Sequence, residues 1–125
     1  MTTKIFMAYI GIASFANGVL LIVMPAGFLS LFGVQMDATG LMLARFWGAF
    51  ALGAGVLAWQ VRNLDSAASR PALLNLFVYF AVASVLNIWS TTSGIFNSSG
   101  WIIVVFDLLL AGIFAYLLIP KKVTL

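Results

Sequence analysis

Four long apolar runs alternate with short breaks along the chain, at about residues 5–24, 41–61, 71–89 and 101–119. Each run is close to the roughly 20 residues that an α-helix needs to cross a hydrocarbon layer of about 30 Å. The first, Ile5 to Met24, follows a single charge, Lys4, and is ended by Pro25. It exceeds the apolar core of a signal peptide and no small-residue cleavage site follows it, so it reads as a retained helix. The pattern predicts an all-α, integral-membrane four-helix bundle over residues 1–125, forming one transmembrane domain.

The breaks differ in character. Residues 26–36 have an apolar centre, Phe28, Leu29, Leu31, Phe32 and Val34, among the breakers Pro25, Gly27, Gly33, Asp37 and Gly40. A short helix lying in the membrane interface and an ordinary ordered loop both suit this segment. Arg62 to Arg70 is the most polar stretch and reads as a loop, with Pro71 in the first turn of the next helix, where a missing N–H costs nothing. Ser90 to Gly100 is uncharged and rich in Ser, Thr, Asn and Gly, again a loop. Pro120-Lys121-Lys122 stops the last run.

Composition agrees and removes whole classes of chemistry. Charged residues are 7% of the 125, against about 25% in soluble domains, too few to cover a water-facing surface. There is no Cys and no His, which excludes disulfides, thiol redox chemistry, histidine bases, ordinary zinc sites and imidazole haem ligation. No cofactor is expected, and the lack of a base or a ligand set argues against an enzyme. The net charge of +3 does not indicate nucleic acid, because the basic residues are scattered and form no groove-sized patch. They sort by topology instead. Lys4, Arg62, Arg70, Lys121 and Lys122 fall on the side of the N-terminus, and the opposite breaks, 25–40 and 90–100, hold no Lys or Arg. By the positive-inside rule both termini are cytoplasmic, in the cell membrane (the inner membrane for a bacterium). Trp59 and Tyr116 then lie near the inner boundary, and Trp89 and Trp101 near the outer one, as an aromatic belt requires.

Two charges lie inside runs, Arg45 and Asp107. At about 1.5 Å of rise per residue, each is roughly 9 Å in from the outer end of its helix. An isolated ion at such depth is costly, so an Arg45–Asp107 ion pair facing the bundle interior is expected. Asn17, roughly 18 Å up the first helix, and Ser14 one turn below it share that level with Ser84 and Asn87 of the third run. The inner half offers only Tyr9, Asn75 and Tyr79. The layer Arg45, Asp107, Asn17, Asn87, Ser84 and Ser14 has two readings. One is a structural clasp of interhelical hydrogen bonds. The other is a binding site, for an anionic headgroup, a carboxylate ligand or a quinone oxygen, reached from the outer side.

Small residues mark close packing. Ala44, Gly48, Ala51, Gly55 and Ala58 make a stripe on the second run, and Gly11, Ser14 and Gly18 a shorter one on the first, with Ala111 and Ala115 below Asp107. Such stripes serve packing within the bundle or homodimerisation. Phe46, Phe50, Phe77 and Phe80 read as lipid-facing or core-filling residues rather than a cofactor box.

The order Gly18, Pro25, Phe32-Gly33, Arg45, Gly48-Ala49, Leu52-Gly53, Trp59 and Arg62-Asn63 resembles small bacterial four-helix membrane proteins of the DoxX-like kind, many of unknown function. The likeness covers about the first half of the chain. It implies a four-helix bundle with cytoplasmic termini, and some members of the wider group accompany membrane redox systems. The absence of cysteine leaves no thiol role to carry over, and no catalytic residue follows from the resemblance.

The expected function is therefore a non-catalytic multi-pass membrane protein, an accessory or assembly subunit of a membrane complex. Its expected partners are the lipid bilayer and other membrane subunits or further copies of itself. The alternative is a lipid- or small-anion-binding protein, or a transporter component, that uses the outer Arg-Asp-Asn layer.

Overall fold

The computed structural model describes residues 2–120, and among these it contains only helices. The order is α1 (Thr3–Val23), α2 (Pro25–Ser30), α3 (Ala38–Val61), α4 (Ser66–Thr92) and α5 (Gly100–Leu118). Four of them, α1, α3, α4 and α5, are long and apolar enough to cross a membrane. Lys121 and Lys122 lie outside the described residues.

The helices start where a side chain can satisfy their free N–H groups. The Thr2 hydroxyl accepts from the Ile5 N–H at 3.3 Å, Asp37 Oδ1 from Gly40 at 2.8 Å, and Asp65 Oδ1 from Ala68 at 2.7 Å. Asp65 corrects the loop expected over 62–70, because its cap starts α4 at Ser66. Pro71 consequently sits inside the helix rather than in its first turn, and leaves the Ala67 carbonyl without a helical donor. The expected loop 90–100 is likewise shortened. Thr91 and Thr92 return their hydroxyls to the carbonyls of Asn87 (2.7 Å) and Ile88 (2.8 Å), so polar residues continue the helix to Thr92.

The segment 26–36 divides into two parts. Pro25 opens the short helix α2, and a turn through Gly33, in the left-handed region at φ 72°, leads away from it. The Asn97 N–H donates to the Phe32 carbonyl at 2.9 Å, and the Asn97 side-chain amide donates to the Leu31 carbonyl at 3.3 Å. The two connections at this end of the molecule are thereby latched, with Phe28, Phe32 and Phe96 packed in a row.

Neighbouring long helices run antiparallel. α1 packs on α3 backbone to backbone: a Cβ added to Gly18 would lie 2.6 Å from the Gly48 carbonyl, and one added to Gly55 would lie 2.7 Å from that of Gly11. The five small residues of the α3 stripe are all buried, so the stripe serves packing within the chain. α4 packs on α5 through larger side chains. The helix ends Thr3, Val61, Ser66 and Leu118 share one end, here called proximal, and the connections Met24–Asp37 and Ser93–Ser99 form the distal end. The main core is proximal. It includes Phe6, Met7 and Ile10 of α1, Ala58 and Val61 of α3, Leu73, Leu76 and Phe80 of α4, and Leu110 and Phe114 of α5. Of the four phenylalanines read as lipid-facing or filler, Phe80 is buried in this core, Phe77 is half-buried, and Phe46 and Phe50 are exposed.

Candidate functional site

Among the described residues nearly every charge is spent on a helix end. Asp37 and Asp65 cap N-termini. The three arginines serve C-terminal carbonyls, where a cation also meets the negative end of the helix dipole. Arg45 Nε donates to the Ile22 carbonyl at 3.2 Å, Arg70 donates to that of Leu118 at 2.9 Å, and Arg62 donates to that of Trp59. The Arg62 guanidinium also lies 3.8 Å from the centre of the Trp59 ring. The exceptions are Lys4, exposed in the first turn of α1, and Asp107. Asp107 alone is interior. It is 6% exposed, in the middle of α5, and its Oδ2 accepts from Asn87 Nδ2 at 2.7 Å.

The expected Arg45–Asp107 ion pair is therefore corrected. Arg45 is exposed and its hydrogen-bond partner is the end of α1. The reason lies in helix geometry. Trp47 is the α3 residue that turns into the interior at this level, and two residues at about 100° each place Arg45 on the opposite side of the helix. α1 also ends beside it, so an orphan carbonyl is closer than any carboxylate.

The other predicted residues divide. Ser14 and Asn17 of α1, Asn87 of α4 and Asp107 of α5 line one distal cavity of about 380 Å³. Arg45 does not line it. Neither does Ser84, which is 2% exposed and donates to the Phe80 carbonyl at 2.7 Å within its own helix. The layer thus draws on three helices where four were expected. From α3 the cavity receives Trp47, whose indole N–H donates to the Tyr79 hydroxyl at 3.0 Å.

Sequence reasoning missed this bond. It placed Tyr79 in the inner half by depth alone, and nothing in the spacing pairs it with Trp47. Trp47 and Tyr79, with Ala83 and Asn87, form a wall shared with a second space of about 510 Å³, a groove on the α3–α4 side. Phe50, Val78, Val82 and Leu86, which line that groove, are exposed on the outside of the bundle.

The polar groups of the cavity are mostly uncommitted. Among the described residues Ser14 and Asn17 make no side-chain hydrogen bond, and Asp107 uses only Oδ2. No fully buried side-chain polar atom lacks a partner, so the free Asp107 Oδ1 must keep access to open space. The remaining lining is apolar and aromatic: Phe28, Phe32, Phe80 and Phe106 stand around the space with Trp47 and Tyr79. This is the make-up of a small-molecule pocket, a largely apolar concavity with a few convergent polar groups, and its volume lies in the usual range. Compared with known proteins, the chain matches no protein-family model, no curated protein and no solved structure.

Proposed function

We propose that the chain is an integral membrane protein of four spans with both termini cytoplasmic, and that its distal cavity binds a small, mainly apolar molecule bearing one polar group. Four long apolar helices and outward side chains such as Ile12, Phe46, Val85 and Val105, all largely exposed, support the membrane setting. Lys4, Arg62 and Arg70 gather at the proximal end, and the distal connections carry no Lys or Arg, which supports the orientation. The DoxX-like resemblance belongs to the same proposal: it implies this architecture and supplies no ligand.

The observation that carries the binding reading is the cavity itself, with Ser14, Asn17, Asn87 and Asp107 directed at one apolar space. A clasp alone would have its polar groups bonded to one another across the helices, and of these only Asn87 and Asp107 are. The accessory-subunit expectation draws on the apolar exterior, which acyl chains satisfy equally, and the cavity supports binding in its place. A lone interior carboxylate among amides and hydroxyls points to binding without a reaction step.

Filling the cavity tests this. Ala83 forms part of its wall, and Ala83→Phe should occupy the space. Propylbenzene should raise the unfolding temperature of the solubilised wild-type protein, since a ligand that binds only the folded state stabilises it. In Ala83→Phe the rise should vanish. An equal rise in both proteins would defeat the reading, as would the failure of the wild type to respond both to propylbenzene and to analogues of it that carry one polar group.

A further inference from the structure

Within that binding reading, on which this inference rests, the chemistry of the wall selects the ligand. Few charges surround the cavity: Asp107 lines it, and neither Lys nor Arg does. The basic residue expected at its level, Arg45, is committed to the Ile22 carbonyl on the other side of α3. An anionic headgroup or carboxylate would therefore meet a carboxylate with no countercharge. Asn87 supplies Asp107 with one N–H, which is incomplete compensation for a carboxylate in apolar surroundings. A cation would recover part of that desolvation cost, and a neutral molecule would not.

The aromatic lining points the same way. Phe28, Phe32, Trp47, Tyr79, Phe80 and Phe106 come from α2, α3, α4, α5 and the turn after α2, so rings stand on several sides of the space. The negative faces of such rings attract a cation, more strongly where water is displaced. Phe32 is held in place by the latch at Asn97, and Trp47 by its bond to Tyr79.

We propose that the distal cavity is selective for a lipophilic monocation, a protonated amine on an aromatic or short aliphatic body, with its ammonium group donating to Asp107 Oδ1 and its apolar part among the rings. A single carboxylate fixes the charge at one.

Three probes of one shape and different charge test it: phenethylammonium, its uncharged isostere propylbenzene, and the anion 3-phenylpropionate, each titrated against the full chain in nonionic detergent with saturable stabilisation as the readout. Phenethylammonium should bind roughly tenfold or more tightly than propylbenzene, as expected for a hydrogen bond between charged groups, and 3-phenylpropionate should not bind. In Asp107→Asn the difference between phenethylammonium and propylbenzene should disappear. Should that variant fail to fold, Phe28→Leu provides a second test, expected to weaken phenethylammonium by about two- to fivefold more than it weakens propylbenzene, and equal weakening of the two overturns the cation selectivity. Equal binding of the cation and its isostere, as for a carboxyl that acts only as a hydrogen-bonding group, overturns the cation selectivity and leaves the cavity reading standing. Failure of all three probes to bind overturns both.

Discussion

In the proximal half of the bundle the inward positions hold Phe6, Ile10, Leu76, Phe80, Leu110 and Phe114, and in the distal half the next turns of the same helices hold Ser14, Asn17, Ala83, Asn87 and Asp107. The helices are common to both halves; the side-chain volume is not. Phe114 lies between two rings, with its centre 5.2 Å from that of Phe6 and 5.8 Å from that of Phe80, and the half closes. One and two turns further on, small and polar residues leave a cavity of about 380 Å³. A continuous bundle can therefore be a packed core at one end and a receptacle at the other, with the change made at spacings of three and four residues on each helix.

The sharpest way to break this comparison is to remove a ring from each half. Phe114 is 0% exposed, and Phe114→Ala should cost about 3–5 kcal/mol, the usual range for a large buried aromatic. Phe106 is 43% exposed beside space that is already open, so Phe106→Ala should cost about half as much or less. Chemical denaturation of both variants checks the pair, and equal losses would mean that the two halves are packed alike. A smaller effect sharpens the contrast between close and open helix faces. At Gly18 an added methyl meets the α3 backbone, whereas at Gly112 it meets nothing within 4 Å. Gly18→Ala should destabilise by about 1–2 kcal/mol, overpacking offset in part by helix propensity, and Gly112→Ala should be neutral or stabilising. Unfolding temperatures that move together in the two variants would contradict the close α1–α3 contact.

Much of the architecture was legible because it follows from periodicity. Apolar runs mark the four long helices, and the stripe from Ala44 to Ala58 marks the face of α3 that meets α1. The ends of α4 were not legible. A run such as Asp65-Ser66-Ala67-Ala68-Ser69-Arg70 looks like a loop by polarity, although Asp65 followed by Ala-containing turns is also a helix start. Depth along each helix brought Ser14, Asn17, Asn87 and Asp107 to one level, and the fold gathers these four around the cavity. Depth carries no information on azimuth. Arg45 shares the level and faces away, Ser84 shares it and bonds to its own helix, and Trp47 enters unannounced because it is apolar by composition and polar only at its N–H.

The smallest expected effect bears on that azimuth directly. Arg45 contributes at the exposed C-terminus of α1, so Arg45→Leu should cost only about 0.3–1 kcal/mol, the worth of a cation at a helix end. Asp107→Leu removes the acceptor of Asn87 and changes the cavity, with a cost of its own. Because the two residues share no partner, the costs should add, with a coupling within about 0.5 kcal/mol in the double-mutant cycle. An interior ion pair predicts the opposite: either single change would strand a buried charge at about 3–5 kcal/mol, and the double change would recover much of it. A coupling of that size, measured by denaturation of the four proteins, would return Arg45 to the interior and remove the reason for a cationic ligand. Additive costs leave Asp107 without an internal countercharge, which is the condition that an ammonium group from outside would meet.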